Sequence, residues 1–209
     1  MFRFLSLSIS IHPSYSRVLP LLKDPSCHRM LLDLGCCFAQ DIRKLIYDGV
    51  RSDRLYGSDI QADFFDLGYG LFRDKDTCKA HFYAAYVFQD IGWDKIAGNI
   101  DFIYAGSFFH IFSWDDQVRI CQRVIEILKP QKGSTIFGRQ TGNLKGQEAT
   151  NAASGKTGAS RVWRHDPESF EKLWDVAAQA TGTKWKTWAE LDIGEGMGPG
   201  HFSEAGLTV

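Results

Sequence analysis

The chain has 209 residues, of which 44% are hydrophobic and 23% charged, and its formal net charge is −1 at pH 7. This length allows a substantial buried core, and we predict one domain over residues 1–209. The near-neutral charge argues against nucleic acid as a partner, and no apolar run approaches the roughly 20 residues that span a bilayer, so no membrane partner is expected.

The first half of the chain alternates helical patterns with short apolar runs. Tyr15–Lys23 is predicted to be a short helix, kinked by Pro20. Residues 30–34 are typical of a strand buried on both faces, and a helix at 39–48, ended by Gly49, follows. The further elements predicted in this half are strands at 55–60, 81–88 and 100–105 and a helix at 62–72.

The second half contains the clearest helical pattern, at residues 114–128. Its predicted buried face consists of positions spaced by four and three, namely Trp114, Val118, Cys121, Ile125 and Leu128. A strand at 134–140 follows. Asp166 and Pro167 then open a helix whose predicted core face is Phe170, Leu173, Trp174 and Ala177. Residues 184–191 and 202–209 are predicted to be the last two strands.

Strands that alternate with helices predict an α/β fold with a Rossmann-like, mostly parallel sheet and helices on both faces. The last two strands have no helix between them, which predicts an antiparallel C-terminal hairpin at one edge. Residues 141–160 are rich in Gly, Asn, Ala, Ser and Thr, and we predict a mobile loop there, either a lid or an insertion.

Cysteine usage favours a reducing compartment. The five cysteines include no C-x-x-C pair, and their odd number does not suit a disulfide framework, so we expect free thiols, no metal site and a cytoplasmic location. The N-terminal stretch MFRFLSLSISIHPSY is mildly apolar, but serines interrupt it and no clean cleavage site follows. A signal peptide is therefore not predicted.

The turn in LLDLGCCFAQD has one glycine where cofactor turns usually have several. Gly35 permits a ligand to approach the backbone closely, and Cys37 and Ala39 are small enough not to block it. A dinucleotide pyrophosphate would tolerate side chains at these positions less well than an adenosine ligand without phosphate. The turn would lie at the carboxyl edge of the sheet, where ligands bind in such folds.

Asp59, in YGSDI, stands 24 residues after Gly35 at the end of the second predicted strand. An acidic residue at this spacing is typical of one that accepts hydrogen bonds from ribose hydroxyls, and a carboxylate can accept from two hydroxyls at once. The alternative is an exposed aspartate at a strand end.

The fourth predicted strand continues into DFIYAGSFFHIF. Residues 105–108 would reach the same edge of the sheet, and His110 lies just beyond. His110 is the candidate catalytic base, because an unperturbed imidazole titrates near physiological pH. The alternative is a structural histidine among Phe108, Phe109 and Phe112.

Together these motifs resemble the class I S-adenosylmethionine-dependent methyltransferases. LLDLGCCFAQD is similar to their glycine-rich motif, GSDI to their acidic motif and DFIYAGSFFHIF to the motif at their fourth strand. DLGCC, LYGSDI, FSWDDQ, GRQTGN and WRHDPESF further resemble a fungal group that methylates carboxyl or hydroxyl oxygens in terpenoid and polyketide secondary metabolism. The likeness extends over residues 8–191.

The resemblance implies S-adenosyl-L-methionine as cofactor and a small acidic or phenolic acceptor. It implies that Asp59 binds the ribose and that Ile60 packs on the adenine. The other cofactor-binding residues that it implies are Asp33, Leu34, Gly35, Cys37, Tyr86, Val87 and Ala105. A homodimer is suggested by the resemblance alone.

The sequence departs from that group in two ways. An aspartate would be expected at Tyr86 to accept a hydrogen bond from the adenine amino group, and losing that bond would cost about 1 kcal/mol, roughly fivefold in affinity. Relatives also have a longer N-terminal segment, so we expect a shortened copy or an incomplete gene model. Two rival functions stay open: a catalytically impaired cofactor-binding homologue and a nucleotide-dependent oxidoreductase.

Whether the protein needs a catalytic base depends on whether the acceptor is already ionised. A carboxylate acceptor is ionised at neutral pH and needs no base, whereas a phenol would need His110. Arg139, Arg164 and His165 are candidates for holding an acidic acceptor, and each is equally interpretable as a surface ion-pair residue.

Overall fold

A seven-stranded sheet forms the centre of the computed structural model, which describes residues 7–90, 92–151, 160–192 and 200–208. The strands in these ranges are β1 (Leu31–Leu34), β2 (Leu55–Asp59), β3 (His81–Ala84), β4 (Phe102–Tyr104), β5 (Thr135–Thr141), β6 (Gln147–Asn151), β7 (Ser160–Arg164), β8 (Trp185–Asp192) and β9 (Gly200–Leu207). The α-helices are α1 (Tyr15–Lys23), α2 (Gln40–Tyr47), α3 (Asp63–Phe72), α4 (Trp114–Ile127) and α5 (Pro167–Thr181).

The strand order is β3-β2-β1-β4-β5-β9-β8. The first five strands are parallel, and β9 lies antiparallel between β5 and β8. Leu31 in β1 pairs with Leu55 on one side and Phe102 on the other, which explains why this strand is a continuous apolar run. The predicted mostly parallel sheet with an antiparallel C-terminal hairpin is confirmed. Residues 193–199, between its two strands, lie outside the described ranges.

Helices pack on both faces of the sheet, as predicted. One core cluster contains Val18 of α1 and Ile42 of α2, and the other contains Val124 of α4 and Leu173 of α5. The predicted core face of α5 is confirmed, since Phe170, Leu173, Trp174 and Ala177 are all buried. The Asp166 side chain caps this helix by accepting the N–H of Ser169 at 2.9 Å.

The predicted buried face of α4 was partly wrong. Cys121 and Leu128 are buried, but Val118 and Ile125 are only half-buried. The innermost stripe of the helix is Gln117, Ile120, Cys121, Val124 and Ile127. Both sets repeat every three or four residues, so spacing alone does not determine how the helix is rotated. Gln117 was overlooked because it is polar, and it is fully buried because its amide is hydrogen-bonded internally.

The prediction of a mobile loop over residues 141–160 was wrong at both ends. Thr141 belongs to β5, and β6 and β7 form an antiparallel pair in which Ala149 faces Val162. Val162 is buried. Residues 152–159 lie outside the described ranges. Polar composition dominated the prediction, although the apolar and β-branched residues of β7 favour a strand.

The N-terminal stretch, described from Leu7 onward, packs on α2. A short 3-10 turn at Ser8–Ile11 buries Ile9, whose N–H donates to Asp41 Oδ1 at 2.9 Å. Among the helices of the described residues, none combines the length and the apolar character needed to cross a bilayer. All five cysteines are unpaired.

Candidate active site

A cavity of about 340 Å³ lies at the carboxyl edge of the parallel strands. It is lined by Leu34, Gly35, Ser58, Asp59, Ile60, Ala85, Tyr86, Val87, Ser107, Phe108, Ile111 and Phe112. Its volume falls in the range of small-molecule sites. The structure thus brings together six of the predicted cofactor residues: Leu34, Gly35, Asp59, Ile60, Tyr86 and Val87.

The turn after β1 is hydrogen-bonded to the end of β2. Gly35 has a φ of +77°, and the N–H groups of Gly35 and Cys36 both donate to the Ser58 carbonyl at 2.9 Å. Cys37 and Ala39 also adopt positive φ, at 51° and 56°. Three left-handed residues in five explain how the chain leaves β1 and enters α2 so abruptly.

Asp59 connects β2 to this turn. Its Oδ2 accepts the N–H of Cys37 at 2.9 Å, and its Oδ1 accepts the N–H of Gln61 at 3.0 Å. The carboxylate is half-buried rather than exposed at a strand end. An ionised carboxylate has about four acceptor positions, so both oxygens can still accept bonds from a ligand.

Cys37 does not line the cavity, contrary to its predicted position. Its side chain is half-buried, and its contribution to the site is the backbone N–H that holds Asp59. Because burial opposes the thiolate, the pKa of the Cys37 thiol is raised, with smaller contributions from Asp59 and Asp33. We therefore expect no thiolate nucleophile here.

Asp33 also lies outside the cavity lining and is buried in β1. It is 3% exposed, and its Oδ2 has no hydrogen-bond partner among the described residues. Burial, and then the charges of Asp41 and Asp59, raise the pKa of this carboxyl well above its ordinary value. A buried acceptor without a donor is a feature of sites that receive a donor from a ligand.

The third predicted strand is shorter than expected, since β3 ends at Ala84 rather than at residue 88. The N–H of Gln89 donates to the Tyr86 carbonyl at 2.9 Å, so the chain turns there. Tyr86 and Val87 therefore reach the cavity from a loop. The Tyr86 ring is 41% exposed and stands edge-on to Phe88, with centroids 5.2 Å apart.

The segment after β4 supplies the opposite wall. Ser107 has a φ of +57°, and its N–H donates to the Arg139 carbonyl at 2.6 Å, which fastens this segment to β5. Phe108, Ile111 and Phe112 line the cavity, and the sequence analysis did not assign them to the site. Residues 105–108 were predicted to reach this edge of the sheet, but the aromatic run FFHIF was interpreted as the surroundings of a histidine.

Two further predicted residues, besides Asp33 and Cys37, lie outside the cavity lining. His110 is half-buried in the 3-10 turn Phe109–Ile111, and it does not line the cavity although Ile111 does. Ala105 is buried beside β5, where a Cβ added to Gly138 would lie 2.2 Å from the Ala105 carbonyl oxygen. The backbone of β4 at Ala105 therefore packs closely against β5, and the chain reaches the cavity only from Ser107 onward.

His165, one of the candidates for holding an acidic acceptor, lies in the core of the protein. His165 is fully buried, with Nε2 at 2.9 Å from Gln117 Oε1 and Nδ1 at 3.0 Å from Ser169 Oγ. Gln117 donates its amide nitrogen to the carbonyls of Phe112 and Trp163, at 3.1 and 3.0 Å. Its oxygen must then accept, so His165 donates from Nε2. This network holds β7 against the cavity wall. Arg139 and Arg164 do not line the cavity either.

Curated proteins with similar sequences come from fungi, and no family model matches the chain. The chain is 44% identical over 188 residues to O-methyltransferase phiE of Fungal sp. strain ATCC 74256, covering 89% of this chain and 61% of that protein. It is 41% identical to O-methyltransferase atr3 of Stereocaulon alpinum, covering 94% and 56%. It is 37% identical to the Asnovolin E/Chermesin D methyltransferase nvfJ of Aspergillus novofumigatus, covering 91% and 68%. The chain spans about three fifths of the length of the first two proteins.

Solved structures with low sequence identity share the fold. An S-adenosylmethionine-dependent methyltransferase from Mesorhizobium loti matches with a TM-score of 0.56 and 13% identity, over 95% of this chain and 99% of that chain. Magnesium protoporphyrin IX methyltransferase from Synechocystis, solved with its bound cofactor, matches with a TM-score of 0.57 and 12% identity, over 92% and 77%.

Proposed function

Since the chain belongs to the family of fungal methyltransferases to which these curated proteins also belong, we propose that it uses S-adenosylmethionine to methylate an oxygen of a small acceptor in secondary metabolism. The cavity carries this proposal, because the ends of β1 and β2 and the loop after β3 present Gly35, Asp59 and Tyr86 to one space. Two of the relatives are named O-methyltransferases, which supports oxygen as the acceptor atom.

The residues present suit this cofactor. The free acceptor positions of Asp59 match two ribose hydroxyls, and Ile60, which is 60% exposed, offers an apolar surface to a purine. Gly35 permits close approach, and the unpaired Oδ2 of Asp33 suits the cofactor's ammonium group. When bound, the cofactor supplies a methyl group activated by its positively charged sulfur. Tyr86 stands where relatives are expected to have an aspartate. The adenine amino group would therefore face a phenol instead of a carboxylate.

The residues of the chain then position the acceptor and exclude water. Phe108, Ile111 and Phe112 form an apolar wall beside Gly35, which suits a displacement that water would otherwise intercept. Among the lining residues within the described part of the chain, only Asp59 is charged, and a residue bound to ribose is not free to act as base. This arrangement favours a carboxylate acceptor, which is already ionised.

The proposal is tested by calorimetry followed by methyl transfer. We expect adenosylhomocysteine to bind with a micromolar dissociation constant and NAD not to bind. Labelled methyl transfer is then measured across matched aromatic carboxylic acids and phenols. Binding of NAD alone would indicate an oxidoreductase, and cofactor binding without transfer to any acceptor would indicate a cofactor-binding homologue that has lost activity.

Substitution of His110 by glutamine tests its role with each of the two acceptor classes. Because a carboxylate needs no base and His110 does not line the cavity, we expect the kcat for carboxylic acids to stay within about twofold of the native value. For the same reason, the kcat for any phenol that is methylated should also stay within about twofold, and a fall confined to phenols would identify His110 as their base. A large loss with carboxylic acids would show that His110 contacts the acceptor directly.

Substitution of Asp33 by asparagine tests the buried carboxyl. Its raised pKa means that the folded protein resists ionisation there. The carboxyl therefore does not destabilise the fold below its ordinary pKa, and it destabilises the fold increasingly as pH rises from that value toward the raised, folded-state pKa. The unfolding free energy of the variant relative to the native protein should therefore increase between pH 4 and pH 7. Urea unfolding at both pH values measures this difference.

The same variant should bind adenosylhomocysteine more weakly, because an amide is a poorer partner for an ammonium group. Asp63→Asn is the matched control, since Asp63 is exposed in the first turn of α3. It should change neither binding nor the pH dependence of stability. A relative stability of Asp33→Asn that is flat with pH would mean that Asp33 is ionised without penalty in the folded protein.

A further inference from the structure

Phe108 covers the glycine on which the proposed site depends. A Cβ added to Gly35 would lie 2.6 Å from Phe108 Cδ2 and 3.3 Å from Cε2, so the ring lies directly over the backbone of the turn. Gly35 follows β1 and Phe108 follows β4, and these strands are parallel neighbours. The contact therefore spans the edge where the ligand is expected.

The backbone of Phe108 is held while its ring is only loosely enclosed. Ser107 is fixed to the Arg139 carbonyl at 2.6 Å and directs the chain through its φ of +57°. The ring is half-buried and lies 6.0 Å from the ring of Phe109 and 5.1 Å from that of Phe112, between centroids. The contact with Phe109 is edge-to-face and that with Phe112 is tilted. Neither involves a hydrogen bond, so the ring can turn about its side-chain bonds while the backbone stays in place.

The cavity therefore has two parts with different access. Asp59, Ile60, Tyr86 and Val87 line the part without this contact, where we place the nucleoside. Gly35 lines the part that the Phe108 ring covers. A chain attached to the 5′ carbon of a nucleoside must pass Gly35 to follow the turn after β1, and there it meets the ring.

We propose that Phe108 determines whether the cavity admits nucleosides that carry a chain at the 5′ carbon, because its ring covers Gly35 and must be turned aside before such a ligand can bind. This inference rests on the proposed function, because it assumes that adenosyl thioethers bind in the cavity. The apparent affinity for a long ligand is then reduced by the fraction of protein in which the ring is turned aside, while the affinity for adenosine is unaffected.

Calorimetry with two ligands tests this in the native protein, Phe108→Ala and Phe108→Leu. We expect Phe108→Ala to lower the dissociation constant of adenosylhomocysteine by about fivefold or more and to leave that of adenosine within twofold. Phe108→Leu should show a smaller gain. The matched control is Ile111→Ala, which removes a lining side chain from the same turn and should give no gain for either ligand.

Association kinetics of the native protein and of Phe108→Ala provide a second readout. Ring rotation is fast compared with association, so the apparent association rate constant of adenosylhomocysteine should be lower than that of adenosine, and Phe108→Ala should raise only the former. If Phe108→Ala binds adenosylhomocysteine equally or more weakly, or improves both ligands alike, the inference is overturned and the proposed function stands. If the native protein binds neither ligand, the proposed function itself fails.

Discussion

Alanine at position 35 is expected to weaken adenosylmethionine binding by at least about 100-fold, a loss of 3 kcal/mol or more. The added methyl group would project into the cavity and meet the Phe108 ring at 2.6 Å. It would also force a residue with a Cβ to hold a φ of +77°, which should lower the free energy of unfolding by roughly 1–2 kcal/mol. Calorimetry and urea unfolding measure the two effects separately.

Gly70→Ala is the matched glycine control. Gly70 lies inside α3, and a Cβ added there would meet no atom within 4 Å. Binding should be unchanged, and stability should rise by about 0.5–1 kcal/mol because alanine favours the helix. The double variant Gly35→Ala with Phe108→Ala relieves the clash but not the strained φ, so it should recover only part of the stability. Native affinity in Gly35→Ala would mean that the ligand does not approach this turn.

Asparagine at position 59 is expected to weaken adenosylmethionine binding by about 10- to 100-fold, because hydrogen bonds to a charged acceptor contribute roughly 1.5–3 kcal/mol. The substitution also places an amide N–H opposite one of two backbone donors, since Cys37 and Gln61 each donate to a different oxygen of Asp59. The turn after β1 should loosen as a result. Calorimetry with adenosylhomocysteine and with adenosine should show equal losses, since both ligands carry the ribose.

The control for this variant is Asp63→Asn, four residues along the chain at the exposed start of α3. Binding should stay within about twofold, and stability should fall by only a few tenths of a kcal/mol from the weaker helix-dipole interaction. If Asp59→Asn and Asp63→Asn bind the ligand equally well, the carboxylate of Asp59 serves only to hold the turn.

Much of the fold was predictable because its determinants are local. The apolar run at β1, the capping aspartate of α5 and the glycine after α2 each specify their element within a few residues. Parallel strand order then brings the ends of β1, β2 and β4 to one edge. This explains why Gly35 and Asp59, identified from separate motifs, were expected to meet and do meet.

The errors arose where contacts between distant residues decide the outcome. Phe108 and Gly35 are 73 residues apart in the chain, and no local pattern reports that one covers the other. The placement of Ala105 and His110 depends on the left-handed φ of Ser107, which serine rarely adopts. His165 resembled a ligand-binding residue because imidazole suits both roles, and only its burial against Gln117 distinguishes them.

The β6–β7 hairpin has a consequence for how this family diversifies. It is inserted between β5 and α5 and contributes no strand to the seven-stranded sheet, yet Trp163 of β7 donates its backbone N–H to the Phe112 carbonyl at 2.8 Å. Evolutionary change in the hairpin can therefore shift one wall of the cavity while the proposed nucleoside site around Asp59 is retained. Under the proposed function, new acceptor preferences would then arise by exchanging this inserted segment, without changing the residues proposed to bind the methyl donor.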